Sequence, residues 1–144
     1  MTFIYEYPRP AATADIIVIH QTTVPQVLLI QRKNPPYQNM WALPGGFLDQ
    51  NETFEQAAER ELKEETGLSM LHLKQFKTFS APNRDPRGWT ISTVFYAHIE
   101  NIEHLRIKAG DDAKITRWFN LNNLPELAFD HELILKEFIN FQMQ

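Results

Sequence analysis

Between Thr53 and Gly67 the chain reads TFEQAAERELKEETG, and its acidic residues fall on the wrong side of a helix. Thr53 and Gln56 form a capping box at the start, and Gly67 is a left-handed stop at the end. At about 100° per residue, Phe54, Ala57, Ala58 and Leu62 make one apolar stripe. Glu61 and Glu65 lie inside that stripe and Glu64 at its edge. Glu55, Gln56, Glu59, Lys63 and Thr66 make the opposite, polar face. Carboxylates gathered on an inward face repel one another and resist desolvation unless a cation joins them. The helix is therefore expected to pack around a hard divalent metal; the competing expectation is an exposed, charge-rich helix.

Composition bounds the rest. A chain of 144 residues with 43% hydrophobic content and ten Phe is expected to fold as one domain with a real core, residues 1–12 forming an extended arm. The net charge of −4 carries no electrostatic footprint for nucleic acid, so contacts to a phosphate group have to be local. Without cysteine there is no disulfide framework, thiolate metal site or Cys nucleophile. The start, MTFIYEYPRP, lacks the features of a signal peptide, and no apolar run reaches membrane-spanning length. A cytoplasmic protein with no membrane partner is the expectation.

No internal repeat or low-complexity tract interrupts the chain. Strands are expected at Ala14–His20, Val27–Gln31, within WALPGGF (41–47), at 71–80 with Leu71, Leu73 and Phe76 inward, at TISTVFYAHI (90–99) and at AKITRWFNL (113–121). Asp130 is the expected N-cap of a closing helix that turns Leu133, Ile134, Phe138 and Phe141 inward. Strands grouped around two helices indicate an α/β architecture of the α+β type, a mixed sheet with helices on both faces. Neither GxGxxG nor GxxxxGK[ST] is present, which argues against those two routes to nucleotide chemistry.

Glutamates at i, i+3 and i+4 are neighbours on a helix, so Glu61, Glu64 and Glu65 can grip ions jointly. With carboxylates and no Cys, the set suits Mg²⁺ or Mn²⁺ better than Zn²⁺. Arg60 can orient Glu61, and the Gly45-Gly46 bend lets a backbone carbonyl approach.

These residues carry a family resemblance. Gly46, Glu52, Arg60, Glu61, Leu62, Glu64, Glu65, Gly67 and Leu68 fill every fixed position of the Nudix box GX5EX7REUXEEXGU, where U is aliphatic. The resemblance implies an α/β/α sandwich around a mixed sheet and hydrolysis of a nucleoside diphosphate linked to another group. It also implies that Glu61, Glu64 and Glu65 bind the metal, joined by the Gly46 carbonyl, and that Arg60 and Glu52 support the loop–helix geometry. A general base is expected either among the box glutamates or on a downstream loop, where Asp111 and Asp112 are the candidates; a simple polar turn after Gly110 is the alternative.

Outside the box, YEYPRPA (5–11), NPPYQNMWALPGGF (34–47), RDPRGW (84–89), GDDA (110–113) and LAFDH (127–131) resemble the bacterial ADP-ribose pyrophosphatase branch of that family. Mg²⁺-dependent cleavage of ADP-ribose to AMP and ribose 5-phosphate is the implied reaction. Arg84 and Arg87 are candidates for the diphosphate, since Arg suits bidentate phosphate contact; a solvated loop with an internal Arg–Asp pair is the alternative. Arg32 and Lys33 are further phosphate candidates, and Tyr5, Tyr7, Tyr37 and Trp41 are candidates to stack on adenine. His131 is read as part of the helix start, and His20, His72, His98 and His104 as structural. The aromatic, proline-rich arm suggests a homodimer. A ligand-sensing transcriptional regulator is the competing class; such relatives add a C-terminal winged helix, for which the chain beyond the closing helix leaves no room. Another sugar nucleotide, a dinucleotide or an oxidised nucleoside triphosphate is the competing substrate.

Overall fold

A computed structural model describes residues 2–102 and 113–144. Its elements are β1 (Ala11–His20), β2 (Gln26–Arg32), β3 (Trp41–Ala42), β4 (Gly45–Phe47), α1 (Phe54–Thr66), β5 (Lys74–Phe79), β6 (Thr90–Ile99), β7 (Ala113–Asn120) and α2 (His131–Gln142). The strands form one mixed sheet along β3-β2-β1-β6-β5, with β4 also paired to β1 and β7 to β2. β1 lies at its centre, parallel to β6 along its whole length and antiparallel to β2 and β4.

The unbroken apolar run of β1 follows from burial on both faces. Ala14, Ile16 and Val18 pack with Leu28, Phe95 and the α1 residues Ala57, Ala58 and Leu62. Ile17 and Ile19 point the other way, into a core with Val27, Leu29, Val94 and the α2 residues Ile134, Leu135 and Phe138. The result is a helix on each side of the sheet, as the fold class requires.

Helix α1 is bounded as its sequence dictates. Thr53 and Gln56 complete the capping box in both directions, and Gly67 stops the helix at φ 80° with its N–H on the Lys63 carbonyl. Thr66 departs from expectation: it is fully buried, not on the polar face. Its hydroxyl donates to the Leu62 carbonyl at 2.6 Å and accepts the Leu68 N–H at 3.1 Å, because the chain leaving Gly67 bonds back onto it.

Other boundaries shift. The arm is shorter than 1–12, since Ala11 and Ala12 already pair with Thr90 and Ile91. Leu71 and Leu73 precede β5 and half-bury against the α1-side core. Leu133 is exposed, and the inward face of α2 is His131, Ile134, Leu135 and Phe138, spaced i, i+3, i+4, i+7. Asp130 stands at the N-cap position but makes no side-chain cap, because its carboxylate is held elsewhere. Among the described residues no helix is long and apolar enough to cross a membrane.

Candidate active site

The Gly45-Gly46 bend brings two elements into direct contact. A Cβ at Gly46 would lie 2.6 Å from the Glu61 carboxylate carbon, so only glycine admits that side chain. The Gly45 N–H donates to Glu65 Oε1 at 3.0 Å, which ties the bend to the last turn of α1. Glu65 is 6% exposed. Burial pushes the Glu61 carboxyl above its ordinary value, opposed by the Arg60 guanidinium and reinforced by the neighbouring Glu64 charge. An electropositive guest would relieve both effects.

Arg60 organises the loop before the helix. Its Nε and Nη2 donate to the two Glu52 oxygens at 2.7 and 2.9 Å, and Nη2 also reaches the Phe47 carbonyl at 3.0 Å. Its Nη1 donates to Glu61 at 2.8 Å and to Glu64 at 3.2 Å. The Arg60 bonds, helped by the Asp49 N–H, hold the Glu52 carboxyl down at about 2. One guanidinium therefore fixes the loop, the helix and the direction of two glutamates.

Glu61, Glu65, Gly45 and Gly46 open into a cleft of about 440 Å³ that also contains Asp15, Arg32, Arg84, Arg87, Phe129 and His131. A larger groove of about 720 Å³ runs along α1 between Asp49 and Leu73, but it contains neither Glu61 nor Glu65. The chemistry belongs to the smaller cleft, where carboxylates and guanidinium groups converge.

The downstream wall is positioned by β3. The Ala128 N–H donates to the Trp41 carbonyl at 2.8 Å, and Trp41 bridges in parallel to Leu127. This brings Phe129, Asp130 and His131 beside Leu43, whose N–H donates to His131 Nδ1 at 3.0 Å. Burial lowers the His131 pKa, opposed by the charges of Asp15 and Asp130.

The arginines expected to meet phosphate do line the cleft, and Arg84 and Arg87 are each engaged with an aspartate. Arg84 is 4% exposed at its side chain and forks onto Asp130 through Nε at 2.9 Å and Nη2 at 2.6 Å. Arg87 forks onto Asp85 at 3.1 and 2.8 Å. Burial raises the Asp85 carboxyl, but the Arg87 side-chain and backbone bonds outweigh it and hold the group below its ordinary value. The Arg87 guanidinium also lies 4.7 Å from the Phe47 ring and 5.0 Å from Phe129. Arg32 lies 4.9 Å from the other partner of this arrangement, Phe129, and donates to the Pro36 carbonyl at 2.7 Å.

Several expected residues stand apart from the cleft. Glu64 is 59% exposed at its side chain and turns toward Arg60. Tyr37 packs edge-on against Phe129, and Trp41 against Phe119 in the α2-side core. Tyr5 stacks on Phe3 in the exposed arm. Asp111, Asp112 and His104 lie outside the described residues. Among the described residues no three His, Asp or Glu side chains already gather as a metal cage. The donor set nevertheless fits a hard divalent ion: carboxylate oxygens only, one of them nested over a glycine, with a backbone bend beside it.

Sequence reasoning missed Asp15 and Phe129; the internal Arg–Asp pair it gave as an alternative is present as Arg87–Asp85, and His131 does open α2, with its ring also lining the cleft. Asp15 carried a signal, being the one ionisable residue within the apolar run ADIIVI. Phe129 has φ 54°, a backbone setting that no sequence pattern announced.

Residues 9–140 match the NUDIX domain, and the chain belongs to the Nudix hydrolase family, whose hydrolases generally use divalent metal ions. It is 46% identical over 136 residues to an ADP-ribose pyrophosphatase of Methanocaldococcus jannaschii, covering 94% of this chain and 77% of that protein. It is 34% identical to the ADPR responsive transcriptional repressor NtrR of Acinetobacter baylyi, covering 92% of this chain and 54% of the repressor. The NUDIX domain of Shewanella oneidensis NrtR, solved in complex with ADP ribose, superposes with a TM-score of 0.86 at 27% identity, over 94% of this chain and 90% of that one.

Proposed function

We propose that this protein hydrolyses the pyrophosphate linkage of ADP-ribose, giving AMP and ribose 5-phosphate, with Mg²⁺ or Mn²⁺ as cofactor. The observation that carries the reading is the nesting of Glu61 over Gly46, beside buried Glu65, in a cleft that also gathers three arginines. Glu61, Glu64, Glu65 and the Gly46 carbonyl would hold the metal. When bound, it supplies charge stabilisation for the oxygens of an in-line phosphoryl displacement.

The chain's own residues do the rest. Arg60 orients Glu61 and Glu64 from behind and keeps the loop bearing Gly46 against the helix. Arg32, Arg84 and Arg87 supply positive charge to a cleft in an otherwise acidic molecule, which favours a diphosphate. Arg84 and Arg87 act with their forks partly committed to Asp130 and Asp85, so they shape the wall as well as attract. A carboxylate of the box, or Asp112, serves as general base for the attacking water. Tyr37 contributes by backing Phe129.

Exposure of Phe3, Ile4, Tyr5 and Tyr7 on the arm supports a homodimer. A light-scattering mass of one chain at micromolar concentration would exclude it. We place the enzyme in the cytoplasm, with no nucleic-acid partner.

The likeness to NtrR favours a second reading, a sensor that binds ADP-ribose without turning it over. A chromatographic turnover panel with Mg²⁺ separates the two: ADP-ribose, other sugar nucleotides, dinucleotides and oxidised nucleoside triphosphates. ADP-ribose is expected to be cleaved best. Preference for a triphosphate overturns the substrate, and tight binding of ADP-ribose without cleavage supports the sensor.

A further inference from the structure

Two buried polar side chains in the cleft are left half-satisfied. Asp15, 7% exposed, accepts the Ser92 hydroxyl on Oδ2. Its Oδ1 makes no hydrogen bond among the described residues, and a Cβ at Gly45 would clash with it at 2.2 Å. His131, 4% exposed, accepts the Leu43 N–H on Nδ1, which assigns the proton of the neutral ring to Nε2. That Nε2–H also has no partner among the described residues. Neither atom is sealed in the interior, since no fully enclosed side-chain nitrogen or oxygen lacks a hydrogen bond. Both residues line the 440 Å³ cleft, and the Asp15 charge acts on His131.

A buried polar atom without a partner is costly, and one open only to a cleft is completed by water or by a ligand. The pair offers one acceptor and one donor. A phosphate oxygen would suit His131 but be repelled by Asp15. An ammonium group would suit Asp15 but meet an N–H at His131. A hydroxyl both donates and accepts through one oxygen, so a single such group can satisfy the two together.

We infer that Asp15 and His131 form a recognition pair for a ribose hydroxyl of the substrate, separate from the carboxylates of α1 and the arginines of the wall. The inference rests on the pyrophosphatase reading and specifies how that cleft reads a sugar. ADP-ribose offers two riboses, and the two halves of the product distinguish them.

Two variants keep the local frame. Asp15→Asn retains an acceptor for Ser92 and replaces the free oxygen with an NH₂ donor. His131→Asn retains an acceptor for the Leu43 N–H and removes the far donor. The full-length wild type and both variants are compared with Mg²⁺ for KM and kcat on ADP-ribose. They are also compared for thermal stabilisation by AMP, ribose 5-phosphate and inorganic phosphate, which requires no turnover. Each variant is expected to raise KM about tenfold, the size of one lost discriminating hydrogen bond, with a smaller change in kcat. Stabilisation by one of AMP and ribose 5-phosphate is expected to weaken, assigning the ribose, while inorganic phosphate is unaffected or binds Asp15→Asn more tightly. Unchanged KM and unchanged stabilisation by both sugars in Asp15→Asn overturn the pair while leaving the pyrophosphatase reading intact. Equal weakening of all three ligands also overturns it, marking a structural role. If the wild type cleaves no ADP-ribose yet a sugar phosphate stabilises it through Asp15, the pair stands and the reading of the reaction falls.

Discussion

The Glu61 carboxylate rests directly over Gly46, where even a methyl group would meet its carbon at 2.6 Å. Glu61 is also held by Arg60, so it has little freedom to step aside. Gly46→Ala should displace the carboxylate or push the bend away from α1. A fall in kcat of about tenfold or more is expected, because small misplacements of reacting groups are expensive. The far-UV circular dichroism spectrum should be unchanged. Wild-type kcat and metal dependence in the variant would show that the contact is incidental.

Arg84 and Asp130 explain why the closing helix lacks the cap its sequence promises. The carboxylate faces a buried guanidinium in preference to the first turn of α2. Arg84→Met strands Asp130 and should destabilise the fold by about 2–3 kcal/mol in urea unfolding. That is somewhat below the range for a broken buried pair, because Asp130 can then turn toward the helix N-terminus. A loss below about 0.5 kcal/mol would mean that the pair contributes no more than an exposed one.

His131 links stability to pH. Burial keeps its folded pKa below 6.5, so the unfolded chain takes up a proton that the native ring refuses. Below about pH 6.5 the unfolded state therefore binds more protons, and stability falls with pH. The contribution is fully present above that value and is lost as pH drops toward the folded pKa. Between pH 7.5 and 5.5 the wild-type urea midpoint should fall more steeply than that of His131→Asn. Parallel curves would place the acid sensitivity elsewhere.

The parts legible in the sequence were those written in short-range chemistry. The capping box at Thr53, the stop at Gly67 and the inward glutamates depend on residues within a few turns of one another, and the structure has the helix between those bounds. Strand β6 spans Thr90–Ile99, where β-branched and aromatic residues alone pointed. What escaped depends on partners far along the chain. Asp130 reads as a cap until Arg84, 46 residues earlier, arrives to take its carboxylate. Thr66 reads as polar surface until the chain beyond Gly67 covers it. Asp15 and His131 line one cleft only because β1, β3 and α2 are folded together.

The central claim is that the α1 carboxylates carry metal-dependent hydrolysis. Glu64 tests it most cleanly, because its side chain is 59% exposed and its replacement leaves the core and the Gly45 contact untouched. ADP-ribose turnover with Mg²⁺ is compared in wild type and Glu64→Gln, both with cooperative unfolding. A fall of about a thousand-fold in kcat is predicted, the kinetic equivalent of several kcal/mol of lost charge stabilisation. Equal turnover of the two proteins would contradict the assignment.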